Sequence, residues 1–218
     1  MELGVGSRLV ADLVAAQYQS HLKTHVRGRL LDLGCGKVPL YSAYAPYASE
    51  IVCVDWTPGE HIDLECDLSQ PLSFESSRFD TIILSDVLEH IPEPRLLWSE
   101  MKRVLAPGGK IIMNVPFYYL VHEHPHDYYR YTNFALERFV KINEMALVRM
   151  SAVGGLVEII ADLFAKIATR LPLIGSAIAI LIQTLAWQFH KTRLGAKVAA
   201  ISSRHFPLGY FVIAARGL

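Results

Sequence analysis

Residues 30–40 read LLDLGCGKVPL. An apolar run closes on Asp32, two glycines and then Pro39, the pattern of a buried strand that ends in a tight turn and feeds a helix opening at the proline. A second apolar run, IVCVD over 51–55, also ends in an acid, and VPLYSAYAPYA between the two suits that helix. The result is a strand, helix, strand unit. The alternation continues with FDTIILS (79–85) as a strand, EPRLLWSEMKRVL (93–105) as an amphipathic helix, Pro107-Gly108-Gly109 as its stop and KIIMNVP (110–116) as the next strand. NFALERFVKI (133–142) reads as a helix, MALVRMSAV (145–153) as extended and GYFVIAAR (209–216) as a final strand. Such alternation predicts an α/β fold with a parallel sheet covered by helices on both faces.

In a doubly wound sheet the ligand lies beyond the carboxyl ends of the strands, so Asp32 and the glycine turn must lie close to it. A dinucleotide would bring a pyrophosphate to this turn, where the Asp32 carboxylate repels it. The third glycine of a G-x-G-x-x-G loop is also missing, because Pro39 stands there. A ligand with a cationic group fits better. S-adenosylmethionine carries an ammonium and a sulfonium, has no phosphate, and has a ribose that a second carboxylate can hold. Asp55 is placed to supply that carboxylate.

The successive segments LLDLGCG, VCVD, CDLSQPL, FDTIILSDVLEHI and MKRVLAPGGKIIMNVP, over roughly residues 28 to 142, resemble the class I S-adenosylmethionine-dependent methyltransferases, particularly the type 11 domain. The resemblance implies a Rossmann-like doubly wound seven-stranded sheet with the last strand antiparallel. It also implies S-adenosylmethionine as cofactor, with Asp32, Gly34, Cys35 and Gly36 at its methionine end. Asp55 and Trp56 would lie at the ribose, Asp67 and Leu68 beside the adenine, and Ser85 and Asp86 at the end of the fourth strand. Plainer roles stand beside these: Asp32 as a cap or ion-pair partner, Asp67 as a turn residue, and His90 of the LEH segment as a packing histidine.

After the strand ending at Pro116 comes FYYLVHEHPHDYYRYT (117–132), dense in histidine and tyrosine, in a place where substrate groups belong. Methyl transfer is an in-line displacement, and a hydroxyl acceptor must lose a proton. His126 beside Asp127, or His124 beside Glu123, is the expected base, with His90 as a further candidate and Tyr128, Tyr129 and Tyr131 as pocket walls. Alternatively the segment is a cover loop held by tyrosine hydrogen bonds, with Arg130 in a structural ion pair. His122, His124 and His126 at alternate positions would share one face of a strand, but Pro125 interrupts it and no distant fourth ligand stands out, so no metal centre is expected.

The remaining sequence is organised by charge. The 218 residues balance to zero net charge, yet all 21 acidic residues lie at or before Asp162, and seven basic residues and no acid follow it. Between the SAVGG segment and the last strand, Glu158, Asp162, Lys166 and Arg170 recur every fourth residue as one narrow stripe on an apolar helix, and LPLIGSAIAILIQTLAWQF (171–189) carries no charge. A single membrane span conflicts with a final strand that returns to the sheet. A helical hairpin bent at Pro172 to Gly175 is expected instead. It would either make peripheral membrane contact through 155–197, with His190, Lys191, Arg193 and Lys197 at anionic headgroups, or form a homodimer interface.

The three cysteines, Cys35, Cys53 and Cys66, suit a reducing compartment, and no signal peptide is read at the N-terminus. The expected layout is one methyltransferase domain over 1–218: an N-terminal helix over 1–27, a cofactor-binding core over 28–153, an apolar helical insertion over 154–204 and the final strand within 205–218. The expected protein is cytoplasmic, peripheral on the inner face of the membrane if the hairpin docks there. Its acceptor is a small-molecule or lipid-linked substrate methylated on oxygen, glycan-linked compounds included. A non-catalytic scaffold of the same fold is the alternative. A nucleic-acid partner is not expected, because the catalytic half is acidic and SDVL replaces the DPPY-type motif of amino-methylating enzymes.

Overall fold

The computed structural model describes residues 5–218. In chain order the elements are α1 (Arg8–His25), β1 (Arg29–Leu33), α2 (Tyr41–Tyr44), β2 (Glu50–Asp55), β3 (Leu64–Glu65), β4 (Phe79–Ser85), α3 (Pro94–Val104), β5 (Leu105–Pro116), α4 (Asn133–Ile142), β6 (Met145–Val153), α5 (Leu156–Ala168), α6 (Gly175–Lys191), α7 (Arg193–Ser202) and β7 (Gly209–Arg216). The seven strands form one sheet in the order β3-β2-β1-β4-β5-β7-β6. β1 pairs in parallel with both β2 and β4, so the strand order reverses at β1 and opens a crevice at its carboxyl end. Gly108 donates its N–H to Gly217, and Phe117 donates to Leu208. One strand climbs as the other descends, so β7 is antiparallel.

The inner strands read as unbroken apolar runs because both faces of the sheet are covered. Leu30, Leu31 and Leu33 of β1 and Ile82, Ile83 and Leu84 of β4 are fully buried. α3 starts at Pro94, whose missing N–H costs nothing in a first turn, and it turns Leu97, Trp98, Met101 and Val104 inward at helical spacing. Each such side chain taken from water contributes about 2 kcal/mol. Arg103 leaves the helix end to donate to the carbonyls of Leu72 and Phe74, which fixes the chain between β3 and β4.

Some expectations change. The helix opening at Pro39 shrinks to the four residues of α2 followed by a 3-10 turn over Ala45–Tyr47, because Pro46 has no N–H to continue it. β3, only two residues long, carries no readable alternation. The expected N-terminal helix is a 3-10 turn, Val5–Ser7, followed by α1; residues 1–4 of that expectation lie outside the described residues.

The chain divides into two compact units. One holds Tyr18–Pro116, Val121–Ser151 and Phe211–Leu218. The other holds the residues up to Gln17 together with Phe117–Leu120 and Ala152–Tyr210. The apolar insertion lies within the second, where α5 and α6 bend across Pro172–Gly175 and a third helix follows, since Thr192 accepts from the Gly195 N–H and caps α7. α5 turns Glu158 and Asp162 of its charged stripe inward, and Arg170 lies exposed beyond the helix end. Glu158 is fully buried, accepting from the Gly155 N–H at 2.8 Å and meeting His190 Nδ1 at 2.8 Å. Asp162 pairs with Lys166, whose Nζ stands 3.8 Å from the Tyr119 ring centroid. Ile160, Leu163, Phe164 and Ile167 face outward, each at least 45% exposed.

Candidate active site

Asp32, next to last in β1, is only 3% exposed, and Tyr44 Oη donates to its Oδ2 at 2.7 Å. Burial pushes its pKa up to about 7; the Asp55 charge adds to the shift and the Tyr44 hydrogen bond opposes it. The chain then turns through Gly34, at φ +69°, where a Cβ would stand 2.5 Å from Val87 Cγ2. Cys35 is buried and donates its N–H to Val54. At Gly36, φ is +53° and a Cβ would meet nothing within 4 Å, so the turn faces open space. The Gly36 N–H donates to Asp55 Oδ2 at 2.9 Å and the Thr57 N–H to Asp55 Oδ1 at 3.0 Å, which locks the carboxylate at the end of β2 against the glycine turn.

Asp67 is exposed and folds back on its own turn, its Oδ1 accepting from Ser69 N and Ser69 Oγ; the Ser69 hydroxyl is the main reason its pKa falls. Leu68 beside it is buried. At the end of β4, Ser85 Oγ donates to Asn114 Oδ1 at 2.7 Å, and Asp86, at φ +51°, accepts from Asn114 Nδ2 at 2.6 Å. Tyr18 Oη donates to the same Asn114 Oδ1 at 2.9 Å. Asn114, Tyr18 and Tyr44 were not anticipated from the sequence. The one signal for Asn114 is a lone amide inside KIIMNVP.

The histidine loop is not an extended strand. Glu123 takes φ +50° and the His126 N–H donates to the Glu123 carbonyl at 2.8 Å, so the chain reverses and the alternate histidines do not share a face. The expected pairing of His126 with Asp127 is replaced. Asp127 accepts from the His122 N–H at 2.9 Å, stands 3.2 Å from His122 Nδ1 and is gripped by both Arg130 nitrogens. Hydrogen bonds from Arg130 hold its carboxyl well below the usual range. His124 is exposed. His126 Nδ1 lies 3.1 Å from Tyr128 Oη, and its ring meets the half-exposed Trp56 edge-on at 5.0 Å. His90 Nδ1 lies 2.7 Å from the His126 carbonyl. The Tyr128 and Tyr129 N–H groups donate to Glu89, and Tyr131 Oη donates to Leu88. The loop is therefore tied to the turn after β4, as a cover would be.

Residues 31–113 match the family model described as a methyltransferase domain. This match, over less than half of the chain, supports a class I methyltransferase domain. It is 26% identical over 115 residues to a ubiquinone biosynthesis O-methyltransferase of Xanthomonas euvesicatoria pv. vesicatoria, a match covering 46% of this chain and 48% of that protein. The chain thus spans about half the length of the curated relatives it matches. Among solved structures, an S-adenosylmethionine dependent methyltransferase from Mesorhizobium loti superposes with TM-score 0.61 at 16% identity, covering 95% of this chain and all of that one. The [4+2]-cyclase SpnF superposes with TM-score 0.64 at 16% identity, over 95% of this chain and 81% of its own.

The methyltransferase domain implies S-adenosylmethionine, and the donor set fits it. Asp32, Asp55 and Asp86 offer carboxylate oxygens whose protein partners are hydroxyl, backbone and amide donors, an environment that attracts an ammonium or a ribose diol and repels phosphate. The open space at Gly36 lies over the same turn.

Proposed function

We propose that the domain transfers a methyl group from S-adenosylmethionine to an oxygen of a small acceptor that is lipid-linked or glycan-linked. The observation that carries this reading is the contact of His126 with Trp56, the residue after Asp55, which joins the histidine loop to the cofactor end of the sheet. Bound there, the cofactor supplies an electrophilic methyl on a sulfonium. The chain's own residues then have separate tasks. Asp32 and Asp55 hold the cationic and diol ends, and Asn114 orients Ser85 and Asp86. The tyrosine-anchored loop keeps out water, and His126 takes the acceptor's proton. His90 acts through its contact with the His126 carbonyl, as a positioning residue. Asp127 orients His122.

The lipid side of the proposal is supported by exposed apolar side chains on α5, by Leu173 in the following turn and by Leu181 and Leu185 of α6, with Lys191 at the end of α6 and Arg193 and Lys197 in α7. No helix among the described residues is long and apolar enough to cross a membrane, so the helices would lie in one leaflet's surface. A second copy of the chain is the rival occupant of that face.

Incubating the protein and host membrane extract with methyl-labelled S-adenosylmethionine, then partitioning the products, tests the reading. Label in the organic phase is the expected result. Label only in water would replace the lipid-linked acceptor with a soluble one. No label, together with no affinity for the cofactor, would leave the non-catalytic scaffold as the function.

A further inference from the structure

Glu89 sits in the 3-10 turn Leu88–His90, fully buried, and neither Oε1 nor Oε2 has a hydrogen-bond partner. Folded proteins rarely leave a buried carboxyl in that state; a donor or a cation normally answers it. Two imidazoles face it. His90 Nε2 stands 3.6 Å and His122 Nε2 3.8 Å from Glu89 Oε1, with the two rings 4.7 Å apart. These separations are too long for hydrogen bonds. They suit atoms arranged around an ion, since ligands about 2.1 Å from a tetrahedral metal stand roughly 3.4 Å from one another, and farther as the angle opens. One donor atom from each of Glu89, His90 and His122 lies within 4.8 Å of the others.

The opposite edge of each ring sets its tautomer. His90 Nδ1 lies 2.7 Å from the His126 carbonyl, which only accepts, so Nδ1 carries the hydrogen and Nε2 the lone pair. His122 Nδ1 faces Asp127 Oδ2 at 3.2 Å, and Asp127 is chelated by Arg130, which imposes the same arrangement. Both Nε2 lone pairs therefore turn towards Glu89. A carbonyl or carboxylate behind each ring is the outer-shell support that orients metal-ligating histidines.

We infer that Glu89, His90 and His122 bind a divalent transition ion, best matched by Zn2+, through one carboxylate oxygen and two imidazole nitrogens with a coordination position left open. Two nitrogens to one oxygen is a poor set for Mg2+ or Ca2+, which take oxygen ligands. The site is distinct from the histidine trio visible in the sequence: of that trio only His122 belongs to it.

The test is calorimetric titration of chelator-treated full-length protein with Zn2+ alone, repeated with Co2+ to read the visible absorption of a nitrogen- and oxygen-bound ion. One equivalent should bind tightly and raise the melting temperature. Glu89→Gln and His122→Ala should each weaken binding at least a hundredfold, and Asp127→Asn roughly tenfold to a hundredfold. His124→Ala, on the exposed part of the same loop, should leave Zn2+ binding unchanged. Circular dichroism checks that each variant folds, and Glu89→Gln keeps the assay decisive if His122→Ala does not. Absence of a stoichiometric site, equal binding by folded Glu89→Gln, or tighter binding of Mg2+ than Zn2+ would each overturn the assignment. Because the readout is metal binding and not methylation, its failure is separate from failure of the proposed activity.

Discussion

Asp32, the proposed partner of the cofactor's cationic end, strains the fold that holds it. A carboxyl whose folded pKa is raised from 3.8 to about 7 favours the folded chain most below pH 3.8, and that advantage is lost as the pH rises through about 7. Above neutrality the buried charge costs the ligand-free protein on the order of 4 kcal/mol. Asp32→Asn should therefore melt higher than the parent at pH 8, by a margin that narrows at pH 5, and thermal melts at the two pH values check this. A bound cation reverses the balance. S-adenosylhomocysteine should bind the parent about tenfold more weakly at pH 6 than at pH 8, because a proton must leave Asp32 first, and the variant should lose that slope along with most of its affinity. Asp55 accepts hydrogen bonds from two backbone N–H groups, those of Gly36 and Thr57. Asp55→Ala should weaken cofactor binding at least tenfold and leave the chain folded, as titration and circular dichroism would report; unchanged affinity would remove Asp55 from the site. At this scale the places of Asp32 and Asp55 at the carboxyl ends of β1 and β2 were readable, because each closes an apolar run before a turn. Glu89 was not, because nothing in LEH tells which of its side chains points inward.

Between residues and molecule lie the turns and helices, where spacing is legible and direction is not. The two glycines after β1 look alike in the sequence, yet they serve different ends. Gly34→Ala drives a Cβ to 2.5 Å from Val87 in a left-handed conformation and should cost the fold about 3 kcal/mol in urea unfolding. Gly36→Ala meets nothing of the protein, so it should cost about 1 kcal/mol of stability while lowering cofactor affinity, its methyl occupying the space over the turn. The strands β4, β6 and β7 could be placed to the residue because their apolar runs are bounded by charges and turns. β3 could not, since two residues carry no period. In α5 the every-fourth-residue spacing put Glu158, Asp162 and Lys166 on one face, with Arg170 beyond the helix end, but spacing alone cannot say whether that face is wet or dry. In the histidine loop Pro125 marks the break in the alternation, and the structure adds a turn at Glu123 that residue spacing does not reveal.

For the whole molecule, inward charge and outward hydrocarbon on one helix are the arrangement that must be explained. In water, exposing Ile160, Leu163, Phe164 and Ile167 while burying Glu158 and Asp162 forgoes hydrophobic burial and desolvates charge at the same time. An apolar cover over that face would recover the forgone burial, and the basic residues beyond Asp162 suit a cover that is also anionic. The protein should therefore co-sediment with vesicles containing phosphatidylglycerol and much less with neutral ones, the difference shrinking in high salt. Replacing Leu163 and Phe164 together by aspartate should reduce vesicle binding at least tenfold without altering cofactor affinity, because the exchanged side chains lie outside the residues that would hold the cofactor. If instead the parent protein ignores vesicles and sediments as a dimer, and the double variant sediments as a monomer, the apolar face belongs to a second copy of the chain.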